Sequence, residues 1–137
     1  KVIIQTFQPD HPVLQQVLNY DYENLFKTQK KERILYRYPP YYRMIRVTFK
    51  SKSYDNVNKS SEWFSNVIKT LYKGTVLGPV FPAIMRIRGQ YQKQLLIKLD
   101  HELKSSELKS IIMKTYKSFQ SIGKFRITRI NFDADPQ

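Results

Sequence analysis

Arg43-Met44-Ile45-Arg46-Val47-Thr48-Phe49-Lys50, residues 43–50, is the stretch from which the rest of the chain can be read. Ile45, Val47 and Phe49 fall on one side of an extended backbone and Arg46, Thr48 and Lys50 on the other, the two-residue period of a half-buried strand. Such a strand belongs to a sheet with one face covered and the other open. Downstream, Ser53 or Asp55 can cap a helix in which Val57, Phe64, Val67, Ile68 and Leu71 recur at three- and four-residue spacing, ending before Gly74. Residues 76–80 and 84–88 are strand-like and separated by proline. Gly89 supplies the positive φ of a tight hairpin into a strand over 91–99.

Ser105 is the expected cap of a further helix, with Leu108, Ile111, Ile112, Tyr116 and Phe119 on one face and Gly123 closing it. A last strand is expected over 125–132. The order is β-α-β-β-α-β, a split arrangement of the α+β class in which two helices cover one face of an antiparallel sheet.

Upstream of this unit, residues 1–6 read as a short apolar strand of the kind buried in a parallel sheet. Nothing nearby can cover it, and the sequence starts with Lys1 rather than Met, so the chain is expected to be cut from a larger protein. Pro12 suits the first position of a helix containing Val13, Leu14, Val17 and Leu18. Asp21 can cap a second helix running roughly to Leu35. Pro39-Pro40 stops it, and Tyr38-Pro39-Pro40-Tyr41 is expected to be extended, a stiff spacer more than a ligand for a proline-binding domain. The domain boundary is placed there, giving residues 1–40 and 41–137.

The length of 137 residues suits one domain plus part of a neighbour. Lys and Arg number 24 against 11 Asp and Glu, a formal charge of +13. Residues 1–40 hold 6 basic and 4 acidic groups while residues 41–137 hold 18 and 7, so the later unit is the charged one. A polyanion is the expected partner. The absence of cysteine excludes disulfides and thiolate metal sites and fits a reducing, cytoplasmic setting. The most apolar stretch, 76–85, is interrupted by Pro79 and Pro82 and falls far short of the ~20 residues that span a bilayer, so no membrane partner is expected. The charge gives no oligomeric signal, and a monomer is the expectation.

Catalytic patterns are missing. Gly74, Gly78, Gly89 and Gly123 make neither a dinucleotide turn nor a phosphate-cradling loop. Asp10-His11 and Asp100-His101 read as polar turns ahead of helices, since neither has a nucleophile or metal ligands at useful spacing. Asp133-Ala134-Asp135-Pro136 reads as a solvated or docked acidic tail. No enzyme activity, metal or cofactor is therefore expected of this chain itself.

The cations carry the functional reading. If Ile45, Val47, Ile87, Leu95, Ile97 and Ile127 face the helices, alternation sends Arg46, Lys50, Arg86, Arg88, Lys98 and Arg126 to the opposite surface. Tyr91 and Lys93 of the hairpin join them as candidate DNA-binding residues, with Gln92 and Gln94 beside them. Two other readings stay open: a scaffold whose basic groups receive acidic peptide tails, and a small RNA- or ribosome-associated protein.

Several stretches taken in order resemble the end of the primosomal protein N′ (PriA) family of bacterial replication-restart DNA helicases. They are Val2-Ile3-Ile4-Gln5-Thr6-Phe7 with Pro9-Asp10-His11-Pro12, Asp21-Tyr22 and Arg33 ahead of Tyr38-Pro39-Pro40-Tyr41, Leu77-Gly78-Pro79, Ala83-Ile84-Met85-Arg86, residues 89–96 and Asp133-Ala134-Asp135-Pro136. The resemblance implies that residues 1–40 end a RecA-like second helicase lobe and that 41–137 form a C-terminal domain similar in fold to a small ribosomal-subunit protein. It further implies an ATP-dependent 3′ to 5′ helicase as parent, with ATP, magnesium and zinc sites outside this chain. The implied partners are branched or single-stranded DNA, the upstream helicase core, single-stranded-DNA-binding protein and other primosome proteins. Lys104, Ser105 and Lys109 sit where a basic site for an acidic peptide tail would be, with Lys104 and Lys109 as its candidate partner-binding residues. Gln90 and Gln92 stand where the family often has arginine, and Ala134 replaces its usual valine.

Overall fold

A computed structural model describes residues 2–99 and 105–136. The chain divides into two compact units, Lys1–Arg37 and Tyr38–Gln137.

The first unit holds two helices, α1 (Pro12–Leu18) and α2 (Tyr22–Leu35). The His11 ring accepts a hydrogen bond from the Val13 N–H at its Nδ1, so this histidine is a helix cap, as its place in a polar turn suggests. Asp21 caps α2 through the Asn24 N–H. Neither helix buries a residue. The strand expected over 1–6 is not formed: residues 2–6 lie in no ladder, and Val2 and Ile3 are 90% and 81% exposed. A strand exists through the hydrogen bonds of its neighbours, and none stands beside it among the described residues.

The second unit is built on β1 (Arg43–Ser51), α3 (Tyr54–Leu71), β2 (Val76–Val80), β3 (Arg86–Ile87), β4 (Gln90–Leu99), α4 (Ser105–Ser121) and β5 (Arg129–Ala134). The sheet runs β2-β4-β1-β5, with β3 paired to the start of β4, and every pairing is antiparallel. This is the expected split β-α-β-β-α-β order. Val47, Phe49, Leu95 and Ile97 of the sheet are buried with Val57, Phe64 and Ile68 of α3 and Leu108, Ile112 and Phe119 of α4. Each such side chain contributes roughly 1.5–3 kcal/mol on burial. Phe64 meets Phe49 edge-on at 5.4 Å and Phe119 at 6.1 Å, so one ring joins both helices to the sheet.

Four boundaries differ from expectation. Residues 39–41 form a turn, closed by the Tyr42 N–H donating to the Tyr38 carbonyl at 3.3 Å, where an extended spacer was expected. β3 shrinks to two residues, because Gly89 and Arg88 turn the chain at once; both have positive φ, the sign pattern of the hairpin turn that matches strand twist. Ser105 lies inside α4 instead of capping it. The last strand starts at Arg129, not at 125. Gly123–Phe125 is a 3-10 turn that drops the Phe125 ring into the core, stacked on Phe119 at 5.2 Å and 5.9 Å from Trp63. Burying that ring outweighs four more residues of edge strand.

Candidate nucleic-acid interface

Residues opposite one another in an antiparallel pair share a face of the sheet, and neighbours along a strand alternate. Val47, Phe49, Leu95 and Ile97 mark the helix side. Ile45, Tyr91 and Lys93 therefore lie on that side, and Arg86, opposite Tyr91, shares it. The other face carries Arg46, Thr48 and Lys50 of β1, Gln92, Gln94 and Lys98 of β4, and Arg129, Asn131 and Asp133 of β5.

Of the residues expected on the open face, Arg46, Lys50 and Lys98 are there. Lys98 is only 7% exposed, with its ammonium 4.4 Å above the Tyr38 ring, so the turn before β1 covers it. Arg86 is placed on the helix side, where its guanidinium lies 5.1 Å over the Tyr91 ring. Lys93 points in the same direction. It is 7% exposed as a residue, and its ammonium donates to the Glu62 carboxylate of α3 at 3.2 Å and sits 5.3 Å over Phe81. Arg126 precedes β5 and its Nε donates to the Gln120 carbonyl at 3.3 Å, while Ile127, expected in the core, is exposed. Ile87 pairs with Gln90 and faces away from the helices. Arg88 occupies the hairpin turn and is exposed. Lys109 is exposed on α4; Lys104 and the Asp100-His101 pair lie outside the described residues.

The open face is polarised. At the end where β1 begins, Asp135 accepts hydrogen bonds from Arg43 Nε and Nη2 and from the Met44 N–H, and Arg46 stands opposite Asp133. The acidic tail is docked. At the end where β1 finishes, Lys50 stands directly opposite Arg129, with Gln92 on its other side and the Arg88 turn just beyond. Neither Lys50 nor Arg129 has an ion pair among the described residues. Like charges held opposite each other destabilise a sheet by roughly 0.2–1 kcal/mol, and a nearby anion relieves that repulsion. Arg88 adds to the pattern, because a left-handed φ of 49° is uncommon for a bulky side chain and costs ~1–2 kcal/mol.

A strand expected over 125–132 with Ile127 toward the helices puts Arg129 on that same side; β5, starting at Arg129, turns it to the other face. Only the burial of Phe125 fixes the register that brings Arg129 to Lys50.

The model of the primosomal protein N C-terminal domain family matches residues 35–137. The chain belongs to this family. Replication restart protein PriA of Thermotoga maritima is 30% identical over 132 residues, which is 96% of this chain and 17% of that protein. The Bacillus subtilis protein of the same name is 31% identical over 118 residues, 85% of this chain and 15% of the relative. That of Synechocystis is 34% identical over 100 residues, 72% and 12% respectively. The chain thus spans under a fifth of the length of these relatives. Among solved structures, the de novo designed protein Foldit4 has a TM-score of 0.53 at 6% identity, covering 70% of this chain and 98% of its own, and shares the fold alone. The resemblance drawn from the ordered motifs is established by the family match. No described helix is long and apolar enough to cross a membrane.

Proposed function

We propose that this primosomal C-terminal domain holds branched or single-stranded DNA through the hairpin end of its sheet, within an ATP-driven replication-restart helicase. The Lys50–Arg129 pair carries the reading: two cations held opposite each other without ion-pair partners among the described residues, beside an exposed arginine turn. Phosphates satisfy both at once and release counterions. The exposed Val17, Leu18, Phe26 and Leu35 of the first unit suit coverage by the helicase lobe to which that unit belongs. The zinc, magnesium and ATP sites of the parent are proposed to lie in its other parts. Exposed Lys109 supports docking of an acidic tail such as that of single-stranded-DNA-binding protein.

The test is fluorescence anisotropy of a labelled forked oligonucleotide across a salt series. The affinity is expected to fall linearly on logarithmic axes, with a slope of about −0.9 per phosphate neutralised on duplex. A chain with no salt-sensitive affinity at low ionic strength sinks the reading.

A further inference from the structure

On the helix side of the same sheet end stands a group of three aromatic rings, two packed against the core and one outside it. Tyr54, the first residue of α3, is set in place by Ser53, whose hydroxyl accepts from the Asn56 N–H. Its ring stacks on Phe81 with centroids 5.4 Å apart and planes within 4°, and meets Tyr91 edge-on at 5.5 Å. Phe81 and Tyr91 pack against the core, whereas Tyr54 lies outside them and is 51% exposed. The platform is also cationic: Arg86 covers Tyr91, Lys93 lies over Phe81, and exposed Lys52 precedes the α3 cap.

We propose that Tyr54, backed by Phe81 and Tyr91, is a stacking site for an unpaired base of single-stranded nucleic acid. The inference rests on the DNA-binding reading and deepens it. An aromatic cage for a quaternary ammonium leaves its ring faces to the ligand cation, but here Arg86 and Lys93 already occupy two of them. A ligand with a flat π-face and an anionic backbone fits both the rings and the charges. Tyr91 and Ser51 are directly opposite in register, and Lys50 with Gln92 forms the next row on the other face. Phosphates on one face and an unpaired base on the other thus meet at one edge, the geometry of a duplex that opens into a single strand.

The test measures the whole chain against a short oligothymidine and against a blunt duplex. Tyr54→Ala is expected to weaken oligothymidine binding about five- to a hundredfold, leaving duplex affinity within about twofold. Tyr54→Phe keeps both. A 2-aminopurine placed in the strand is expected to be quenched by the wild type and by Tyr54→Phe and to stay bright with Tyr54→Ala. Undiminished oligothymidine binding by Tyr54→Ala, while Lys50→Ser weakens both ligands, overturns the stacking site and leaves the DNA reading intact. Equal losses on both ligands with Tyr54→Ala overturn it as well, since they report damage to the domain. A wild type that binds neither DNA brings down both.

Discussion

The two ends of the sheet carry similar side chains and treat them in opposite ways. Where β1 starts, Arg43 is held by Asp135, Arg46 faces Asp133 and Lys98 is tucked beneath Tyr38. Where β1 finishes, Lys50 faces Arg129, and the turn next to them presents Arg88 to solvent. A formal charge of +13 spread over the chain locates nothing. What distinguishes a binding surface is where the fold leaves cations without carboxylates. One end is therefore read as structural, tying the C-terminal residues to the first strand, and the other as the surface that meets an anion.

The sharpest way to break this contrast is to reverse the charge at the unpaired end. Lys50→Glu combined with Arg129→Glu is expected to lower affinity for forked DNA about a hundredfold at low salt and to reduce the logarithmic salt slope by about two. Arg46→Gln, at the paired end, is expected to change affinity less than about threefold. Anisotropy titrations of the variants side by side decide it, and equal losses at the two ends would erase the distinction.

The paired end gives a prediction of opposite kind. Asp135→Ala removes the acceptor of the Met44 N–H, at 2.9 Å, and of the Arg43 guanidinium. The Met44 bond is part-buried and its acceptor is a carboxylate that also holds the Arg43 guanidinium, so the loss is expected to be about 1–2 kcal/mol. Urea unfolding should show a lower midpoint with an unchanged slope. DNA affinity should stay within about twofold, since the proposed binding surface lies at the other end.

The same contrast shows how far a sequence can be read. Alternation over 43–50 gave β1, its buried Val47 and Phe49 and the outward Lys50 directly, because a two-residue period has one solution once the apolar set is known. Helical spacing placed α3 and α4 for the same reason. Arg86 differs from the expected open face because the hairpin register, not the local pattern, assigns it: opposite Tyr91, it belongs with the helices, as does Lys93, two residues from Leu95. Lys93 is also a polar residue at a position that burial dictates, made tolerable by Glu62, thirty-one residues away, and by the Phe81 ring beneath its ammonium. Residues 2–6 have the composition of a buried strand and, among the described residues, no ladder to join. Asp135 looked like a tail because its partners lie about ninety residues upstream.

The smallest effect probes the unpaired end alone. Lys50→Gln keeps an unbranched stem with a polar end, one atom shorter, and removes one of two like charges placed opposite each other on β1 and β5. Without DNA the variant is expected to be more stable by about 0.2–1 kcal/mol, since the repulsion with Arg129 is gone and no ion pair is lost. The gain should shrink as salt is added, because exposed charges are screened over about 10 Å at 0.1 M. Saturating DNA should reverse the ranking, because ligand bound to the folded state stabilises the tighter-binding wild type more. Thermal melts at low and high salt, with and without DNA, separate these effects. A variant that is less stable than the wild type in low salt without DNA would mean that Lys50 has a partner within the fold, and the anion-binding reading of this end would lose its footing.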